Sequence, residues 1–404
     1  DEITKMKKLI LLLFIPLVSF TQEMNFNDLP DIPVDYISLL TTSSWDNKII
    51  INGGHANIET QPDYSYDYLL VFDISNNSWL TLTTSEPLNS NSTRRYKNGE
   101  ILANNYLYLF NGTTYNDELL SINLETGYVE YHQLNPLPRA QAGSATDDWW
   151  LLYTFGGEIY SENEEPVYTN SLYEYHIGAN EWTELAPMPE AKSTRGEIID
   201  EKLYTIGGYN GSVSNKIDVY NIATNIWENQ FTMPFSVSAN ALTVEGNKIF
   251  ILGDYIELDR IAYFDVQDET FTIIENNMIG RRHFDAEIIN QDLYVIGGNQ
   301  TSSSSDGGWL NSIQKGDISQ LLSISENEQI SNLIAYPNPT SDYININNLS
   351  GFKDYVIYDS SSKLLKFGKQ IENRKISIKD LAKGTYFISL KFESFSKTFK
   401  IIKE

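Results

Sequence analysis

One strand-like motif recurs six times along this chain of 404 residues. In each copy, a run of apolar residues ends in two small turn-forming residues, most often Gly-Gly. The copies are KIIINGG (48–54), YLYLFNG (106–112), LLYTFGG (151–157), KLYTIGG (202–208), KIFILGD (248–254) and DLYVIGG (292–298). Successive copies are 58, 45, 51, 46 and 44 residues apart. A period of about 50 residues is typical of propellers and solenoid arrays.

The second half of each unit also repeats. A strand ends in an aromatic residue plus a turn-forming polar residue, and a large residue follows six positions later. The pairs run from Phe72-Asp73 to Trp79, Tyr175-His176 to Trp182, Tyr220-Asn221 to Trp227 and Phe264-Asp265 to Phe271, with Ile122-Asn123 to Val129 as a weaker copy. Asp and Asn favour tight turns between strands. Each unit therefore predicts four strands: an inner strand, the strand ending in the glycine pair, the aromatic strand and the Trp strand.

The combined pattern resembles the kelch repeat, and its six copies over residues 22–322 resemble a six-bladed kelch propeller. Two copies depart from the family, because Asn111 and Asp254 stand where a glycine is expected. A lone glycine pair after a strand could form a phosphate loop, but no GxxxxGK[ST] motif follows. Six copies favour structural glycines that let the backbone turn and pack closely. We predict an all-β fold, a six-bladed propeller followed by a small β-sandwich.

The sixth unit lacks its last strand, because Ser323 falls at the place of the Trp. The segment FNDLPDIP (26–33) resembles WTELAPMP (182–189) in its large first residue, its leucine and its closing proline. We therefore predict that an N-terminal strand completes the last blade, which removes the exposed edges of an open ring.

The repeat stops after Leu322, and we assign residues 323–333 to a polar linker. Residues 334–404 carry 12 Lys and Arg against 7 Asp and Glu, although the whole chain has a net charge of −25. Their short alternating strands, with Gly and Asn-Pro turns, predict a small β-sandwich. The segments YPNP (336–339) and LAKGTY (381–386) and the basic end resemble the C-terminal sorting domain of the type IX secretion system of Bacteroidetes. That resemblance implies passage through the outer membrane and contact with the secretion machinery, usually with removal of the tail and release or surface anchoring.

The first 21 residues read as an export signal, with Met6 as the start. A basic Met6-Lys7-Lys8 precedes an apolar run from Leu9 to Val18 that is too short to span a bilayer stably, and small residues follow. The alternative is a buried N-terminal helix. We expect a secreted or surface-exposed protein with no transmembrane segment in its mature chain.

Composition excludes several functions. The negative charge opposes nonspecific nucleic-acid binding. The chain has no cysteine, which removes disulfides, Cys-ligated metals and the Cys–Tyr crosslink of kelch-type copper radical oxidases. Its four histidines are scattered and more typical of structural positions than of a metal site. We predict no catalytic residue, no metal and no cofactor.

Basic residues recur at the predicted starts of inner strands. They are Arg95, Arg139, Lys192, Arg195 and Arg282. In kelch propellers the corresponding positions surround one mouth of the central channel. A cationic ring on an acidic protein predicts an anionic ligand, such as an acidic glycan or an acidic peptide. The alternative is that these side chains bond neighbouring blades or loop carbonyls. Aromatic residues after the glycine pairs, among them Tyr160, Tyr168 and Tyr209, offer a second means of binding a glycan, by stacking on sugar rings.

These features predict a binding module for a glycan or a protein ligand. Certain exported kelch-type propellers are sialic acid mutarotases, which makes a sugar-active enzyme the first alternative. No Glu or Asp pair stands out in the sequence for acid–base work. A structural adhesin, with the propeller as a spacer, is the second alternative.

Overall fold

The computed structural model describes residues 23–34, 37–55, 66–88, 99–103, 105–110, 117–147, 150–160, 165–301, 308–319, 321, 333, 335–347, 349, 352–359, 364–371, 374–392 and 396–404. The predicted export signal, Asn111 and Arg95 lie outside these residues. Within them, no helix has the length and apolar character that a membrane crossing requires.

Within the described residues, the repeats fold into six four-stranded antiparallel sheets, and each follows the order of the chain except the last, which includes the N-terminal strand. Blade I contains β2 (Ser38–Trp45), β3 (Lys48–His55), β4 (Tyr66–Asp73) and β5 (Ser78–Leu88). Blade II contains β6 (Gly99–Ala103), β7 (Tyr106–Phe110), β8 (Leu120–Asn123) and β9 (Val129–Tyr131). Blade III contains β10 (Gly143–Thr146), β11 (Leu151–Phe155), β14 (Leu172–His176) and β15 (Glu181–Glu184). Between β11 and β14, the chain forms a separate two-stranded ribbon from β12 (Glu158–Ile159) and β13 (Val167–Tyr168).

The second half repeats the same order of strands. Blade IV contains β16 (Ser193–Ile199), β17 (Lys202–Tyr209), β18 (Lys216–Asn221) and β19 (Ile226–Thr232). Blade V contains β20 (Ala241–Glu245), β21 (Lys248–Leu252), β22 (Ile261–Asp265) and β23 (Thr270–Ile274). Blade VI contains β24 (Asp285–Ile289), β25 (Asp292–Ile296), β26 (Ile313–Asp317) and β1 (Phe26–Asp28). The four strands predicted for each unit are confirmed.

The hydrophobic core lies between neighbouring blades. Ile206 and Ile217 of blade IV belong to one buried cluster with Ile251 and Phe264 of blade V. The alternating apolar residues of the middle strands therefore bury the two faces of each sheet against its neighbours.

The glycine pairs join one blade to the next, as the sequence predicts. Gly207 and Gly208 both adopt positive φ, at 57° and 109°. The Gly208 amide donates to the carbonyl of Val237, which precedes the inner strand of blade V, over 2.9 Å. A side chain on either glycine would overlap backbone, at the carbonyl oxygen of Val237 or of Ser193. In blade V, Asp254 replaces the second glycine, and its carboxylate accepts a hydrogen bond from the Ser238 amide at 3.2 Å.

In three blades, the tryptophan of the outer strand bonds to the preceding blade. The indole of Trp182 donates to the carbonyl of Gln133 at 3.1 Å, and that of Trp227 donates to the carbonyl of Ala186 at 2.9 Å. Trp79 of blade I donates in the same way to Pro30 at 3.0 Å. Pro30 occupies the place in FNDLPDIP that Ala186 occupies in WTELAPMP, so the predicted equivalence of these two segments is confirmed.

The N-terminal strand closes the ring. Strand β1 pairs antiparallel with β26, with Phe26 opposite Gly316, and becomes the outer strand of blade VI. The Phe26 side chain is 6% exposed and lies in a buried cluster with Met24, Phe284 and Leu293. The predicted closure is confirmed.

Residues 335–404 form two further sheets that share one core. The first contains β27 (Ala335–Tyr336), β28 (Tyr343–Ile346) and β31 (Lys375–Ser377). The second contains β30 (Leu364–Gly368), β29 (Phe352–Asp359), β32 (Gly384–Phe392) and β33 (Ser396–Lys403). Ile344 and Ile376 from the first sheet pack in one cluster with Ile357 and Ile388 from the second. This is the β-sandwich predicted for the tail.

The Phe26→Ala substitution should test the closure. Truncating a buried Phe removes apolar contact and leaves a cavity, so we expect the free energy of unfolding in urea to fall by about 3 kcal/mol. The neighbouring Asn27→Ala change affects an exposed side chain and should stay within about 0.5 kcal/mol. Equal stability of the two variants would show that β1 does not hold the ring closed.

Candidate functional site

The inner strands enclose a cavity of about 930 Å³ at the centre of the propeller. Its described wall comes from β2, β10, β16, β20 and β24 and from loops at one end of the blades. Residues with hydroxyl side chains recur where these strands line the cavity. Examples are Thr42, Ser44, Ser144, Thr146, Ser193 and Thr243. Alternate residues of an inner strand point toward the axis, so each blade contributes short polar groups to the wall. The cavity is polar and has the volume of a small-ligand site.

Four tyrosines line one end of the cavity, and we call them the tyrosine rim. They are Tyr160, Tyr168, Tyr209 and Tyr255. Tyr168 and Tyr209 meet edge to face with ring centroids 6.1 Å apart. The rings of Tyr209 and Tyr255 are 42% and 48% exposed. Burial raises the pKa of Tyr168, so the phenol is neutral near pH 7. The rim offers open aromatic faces with hydroxyl groups beside them.

An ion pair crosses the channel below this rim. Arg195 starts from β16 of blade IV and reaches Asp285 on β24 of blade VI, with Nη1 to Oδ1 at 2.6 Å. The second oxygen of Asp285 accepts the backbone amide of Thr42 in blade I at 2.9 Å. The carboxylate therefore joins three blades, and the charge of Arg195 is balanced within the cavity.

Glu287 lies two residues beyond Asp285 on the same strand and also lines the cavity. Its carboxyl accepts a hydrogen bond from the Thr42 hydroxyl at 2.9 Å. Burial among the inner strands and, to a smaller extent, the nearby Asp285 raise the pKa of Glu287 to about 8, although the hydroxyls of Thr42 and Ser44 act in the opposite direction. Glu287 is therefore mostly protonated at neutral pH and can donate that proton. Once deprotonated, its carboxylate can bind a cation.

Two of the predicted basic residues lie inside the blades and do not line the cavity. Arg139 has no exposed surface, donates to the Thr154 hydroxyl at 3.1 Å and stacks over Tyr173 at 5.7 Å. Lys192 is equally buried, and its ammonium lies 2.9 Å from the Asp218 carboxylate. A molecule in the cavity would meet Arg195 but neither of these groups. Each base thus bonds within its own blade, so its contacts are structural but do not connect neighbouring blades.

Arg282 lies behind the rim. Its guanidinium stacks on the Tyr255 ring at 3.8 Å from the centroid and donates to the Tyr255 carbonyl at 3.3 Å. The side chain is 6% exposed. Arg282 therefore holds one rim tyrosine in place. The preceding residue, Arg281, is fully buried and donates to the Gly297 carbonyl at 2.9 Å.

The sequence reasoning missed the acidic wall. Glu158, Glu197, Asp285 and Glu287 all line the cavity. The available signal was the alternation within DAEII (285–289), which places Asp285 and Glu287 on one face of an inner strand. Within the described ranges, no group of three His, Cys, Asp or Glu side chains has a geometry that could hold a metal ion.

Comparison with known proteins identifies the fold family. Residues 39–253, and in a second alignment 123–298, match the model of the KLHDC2/KLHL20/DRC7 Kelch-repeats domain. The chain belongs to the kelch-repeat family. Residues 334–404 of this kelch protein match the secretion system C-terminal sorting domain. The type IX sorting domain makes it a secreted or cell-surface protein, as the sequence predicts.

Curated relatives of the kelch propeller share the repeats at low identity. Spermatocyte protein spe-26 of Caenorhabditis elegans is 25% identical over 250 residues, which cover 60% of this chain and 40% of that protein. Kelch-like protein 40 of Mus musculus is 27% identical over 236 residues, covering 56% and 36% of the two chains. Kelch-like protein 38 of Rattus norvegicus is 24% identical over 271 residues, covering 65% and 44%. The similarity thus spans less than half the length of each relative.

Replacing Lys192 by methionine should separate its structural role from a role in binding. The substitution leaves Asp218 buried without its cation, so we expect urea unfolding to show a loss of about 3–5 kcal/mol. Adding Asp218→Leu should recover a large part of that loss. The control is Lys202→Met, which breaks a more exposed pair with Glu228 at 3.6 Å and should cost below about 1 kcal/mol. A loss at Lys192 as small as the loss at Lys202 would contradict the buried ion pair.

Proposed function

We propose that this secreted kelch propeller is a binding module for a glycan, which enters the central cavity through the tyrosine rim. The observation that carries the proposal is the cavity itself, about 930 Å³, with tyrosines at one end and hydroxyl side chains along its wall. Aromatic faces pack against the apolar faces of sugar rings, and short hydroxyls exchange hydrogen bonds with sugar hydroxyls.

The charge of the wall favours a neutral or cationic glycan over the anionic ligand expected from the basic residues. The one arginine on the described wall is paired with Asp285, and three further carboxyl groups lie around it. An incoming carboxylate would lose hydration and face these acids. Arg95 lies outside the described residues, and its ligand role stays a prediction.

Substitution of the rim tyrosines should weaken glycan binding. We expect the Tyr168→Ala and Tyr209→Ala variants of the full chain each to lose about 2- to 10-fold in affinity, since an aromatic contact contributes about 0.5–1.5 kcal/mol. A glycan array would identify the ligand, and calorimetry would measure the change. The control is Tyr128→Ala, whose side chain is 59% exposed and does not line the cavity. Unchanged binding in the Tyr168/Tyr209 double variant would place the ligand elsewhere, and capture of a protein with no glycan bound would favour the protein-ligand alternative.

A sugar-active enzyme is the second candidate, and one observation favours it. Glu287, protonated near neutral pH, and Asp285 lie two residues apart on the cavity wall. Together they supply an acid and a base for the opening of a cyclic hemiacetal. The acidic wall argues for a neutral free sugar over sialic acid as the substrate.

The catalytic candidate is tested by proton NMR of anomeric exchange in free sugars. If it is correct, exchange will exceed the spontaneous rate, Glu287→Gln will abolish the excess, and the rate will fall above pH 8 because Glu287 then loses the proton that it donates. Exchange in Glu181→Gln, which alters an exposed outer-strand acid, should equal that of the unmodified protein. Exchange at the spontaneous rate with every sugar would leave binding as the function of the cavity.

A further inference from the structure

Carboxyl groups outnumber basic groups on the described cavity wall. Four carboxyl groups line it, from Glu158, Glu197, Asp285 and Glu287, against one guanidinium, that of Arg195. Lys192 lies three residues before Arg195 in the sequence, but its ammonium group is paired with the Asp218 carboxylate of the same blade. The side chains of β6 lie outside the described set. A cation brought by a ligand would therefore enter a field that favours it.

Glu287 is a wall acid with an acidic neighbour, Asp285, and no ion pair among the described residues. Asp285 has Arg195 at 2.6 Å, and Glu158 accepts the Ser193 hydroxyl at 2.9 Å and the Tyr160 hydroxyl. Among the described residues, Glu287 has hydroxyl donors from Thr42 and Ser44 but no ion pair. Asp285 beside it adds repulsion of like charge. An ammonium group at Glu287 would replace that repulsion by an attractive contact.

The entrance to this position also suits a cation with hydroxyl groups. The π faces of the rim tyrosines attract positive charge, and Arg282 already stacks on Tyr255 in this way. The hydroxyls of Ser144, Thr146 and Thr243 can bond to a sugar but give no advantage to an aliphatic amine. Both features are met by one class of ligand, an amino sugar whose amine is not acetylated.

We infer that the cavity selects glycans that carry a free, protonated amine, and that the Glu287 carboxylate receives that ammonium group. The inference rests on the proposed glycan function and adds the class of glycan. Binding of the cation requires Glu287 in its charged form, so it releases a proton.

The direction of the pH dependence follows from this release. The pKa of Glu287 lies near 8 without a ligand, so below pH 8 each ligand molecule must displace a proton. The affinity for a permanently charged amine should rise up to about tenfold per pH unit toward pH 8 and then level off. The charged groups that line the cavity with Glu287 are Asp285 on its own strand, Arg195 and Glu197 on β16, and Glu158 near the tyrosine rim. The strands β2, β10 and β20 contribute uncharged hydroxyl groups there, from Thr42, Thr146 and Thr243.

Calorimetry on the full chain tests the inference with three oligosaccharides of equal length. These are a glucosamine oligomer, its N-acetylated counterpart and a neutral glucose oligomer. We expect the amine oligomer to bind at least tenfold more tightly than the other two at pH 7. A quaternary ammonium derivative, whose charge does not change with pH, gives the pH profile of Glu287 alone.

Glu287→Gln keeps the shape of the side chain and removes its charge. We expect this variant to lose the preference for the amine and the pH dependence while it still binds the neutral oligomer. Glu181→Gln, on the exposed outer strand, should keep both. The pH profile of the unmodified protein tests the same point if Glu287→Gln does not fold.

Three other experimental outcomes would each contradict a different part of the proposal. Equal affinity for the amine and acetylated oligomers, or a preference retained in Glu287→Gln, would overturn the amine selection and leave the glycan function standing. A lysine-rich peptide that binds more tightly than any sugar would overturn the choice of ligand class. Absence of binding by all three oligosaccharides would contradict the glycan function itself.

Discussion

Attachment of each blade to the one before it is the constraint on which the rest of this structure depends. A four-stranded sheet cannot bury both faces alone, so every blade needs two neighbours. The indoles of Trp79, Trp182 and Trp227 supply a directional part of that contact by donating to a backbone carbonyl of the preceding blade. The apolar clusters between blades supply the larger share of the stability. The cavity exists because these contacts fix the inner strands at a distance from the axis.

Within that frame, a few side chains near the axis form the proposed ligand site. Arg195 and Asp285 connect blades that are not adjacent, so their ion pair restrains the ring from inside as well as neutralising the arginine. Burial and the like charge of Asp285 keep the pKa of Glu287, on the same strand, high, and no ion pair among the described residues opposes them. One inner strand thus carries an acid used for structure beside an acid available to a ligand.

The sequence predicted the fold closely because its signals are local and repeated. The glycine pairs, the Asx turns and the large outer-strand residues each mark a fixed position within one repeat. The recurrence of the same pattern in six copies makes the prediction stronger than any one copy could. The closure of the ring by β1 could also be predicted, since FNDLPDIP resembles the segment that contains the outer strand of blade III. The lining of the cavity was not, because it depends on how far each residue lies from an axis that no single repeat defines. Arg139 and Lys192 share a sequence position with other bases, yet each is buried against a partner within its own blade. Asp285 and Glu287 were overlooked because two acids in a strand are ordinary until five other strands surround them.

Closure by β1 sets an order on how the propeller can form. Asp28 and the Gln314 side chain that bonds to it at 2.9 Å are 286 residues apart. Blade VI therefore stays incomplete until almost the whole propeller sequence is present. Contacts of such separation slow folding, since the entropy of the intervening chain is lost before the contact forms. We therefore expect the last blade to form more slowly than blades built from adjacent strands, because its partner strands come from opposite ends of the propeller sequence.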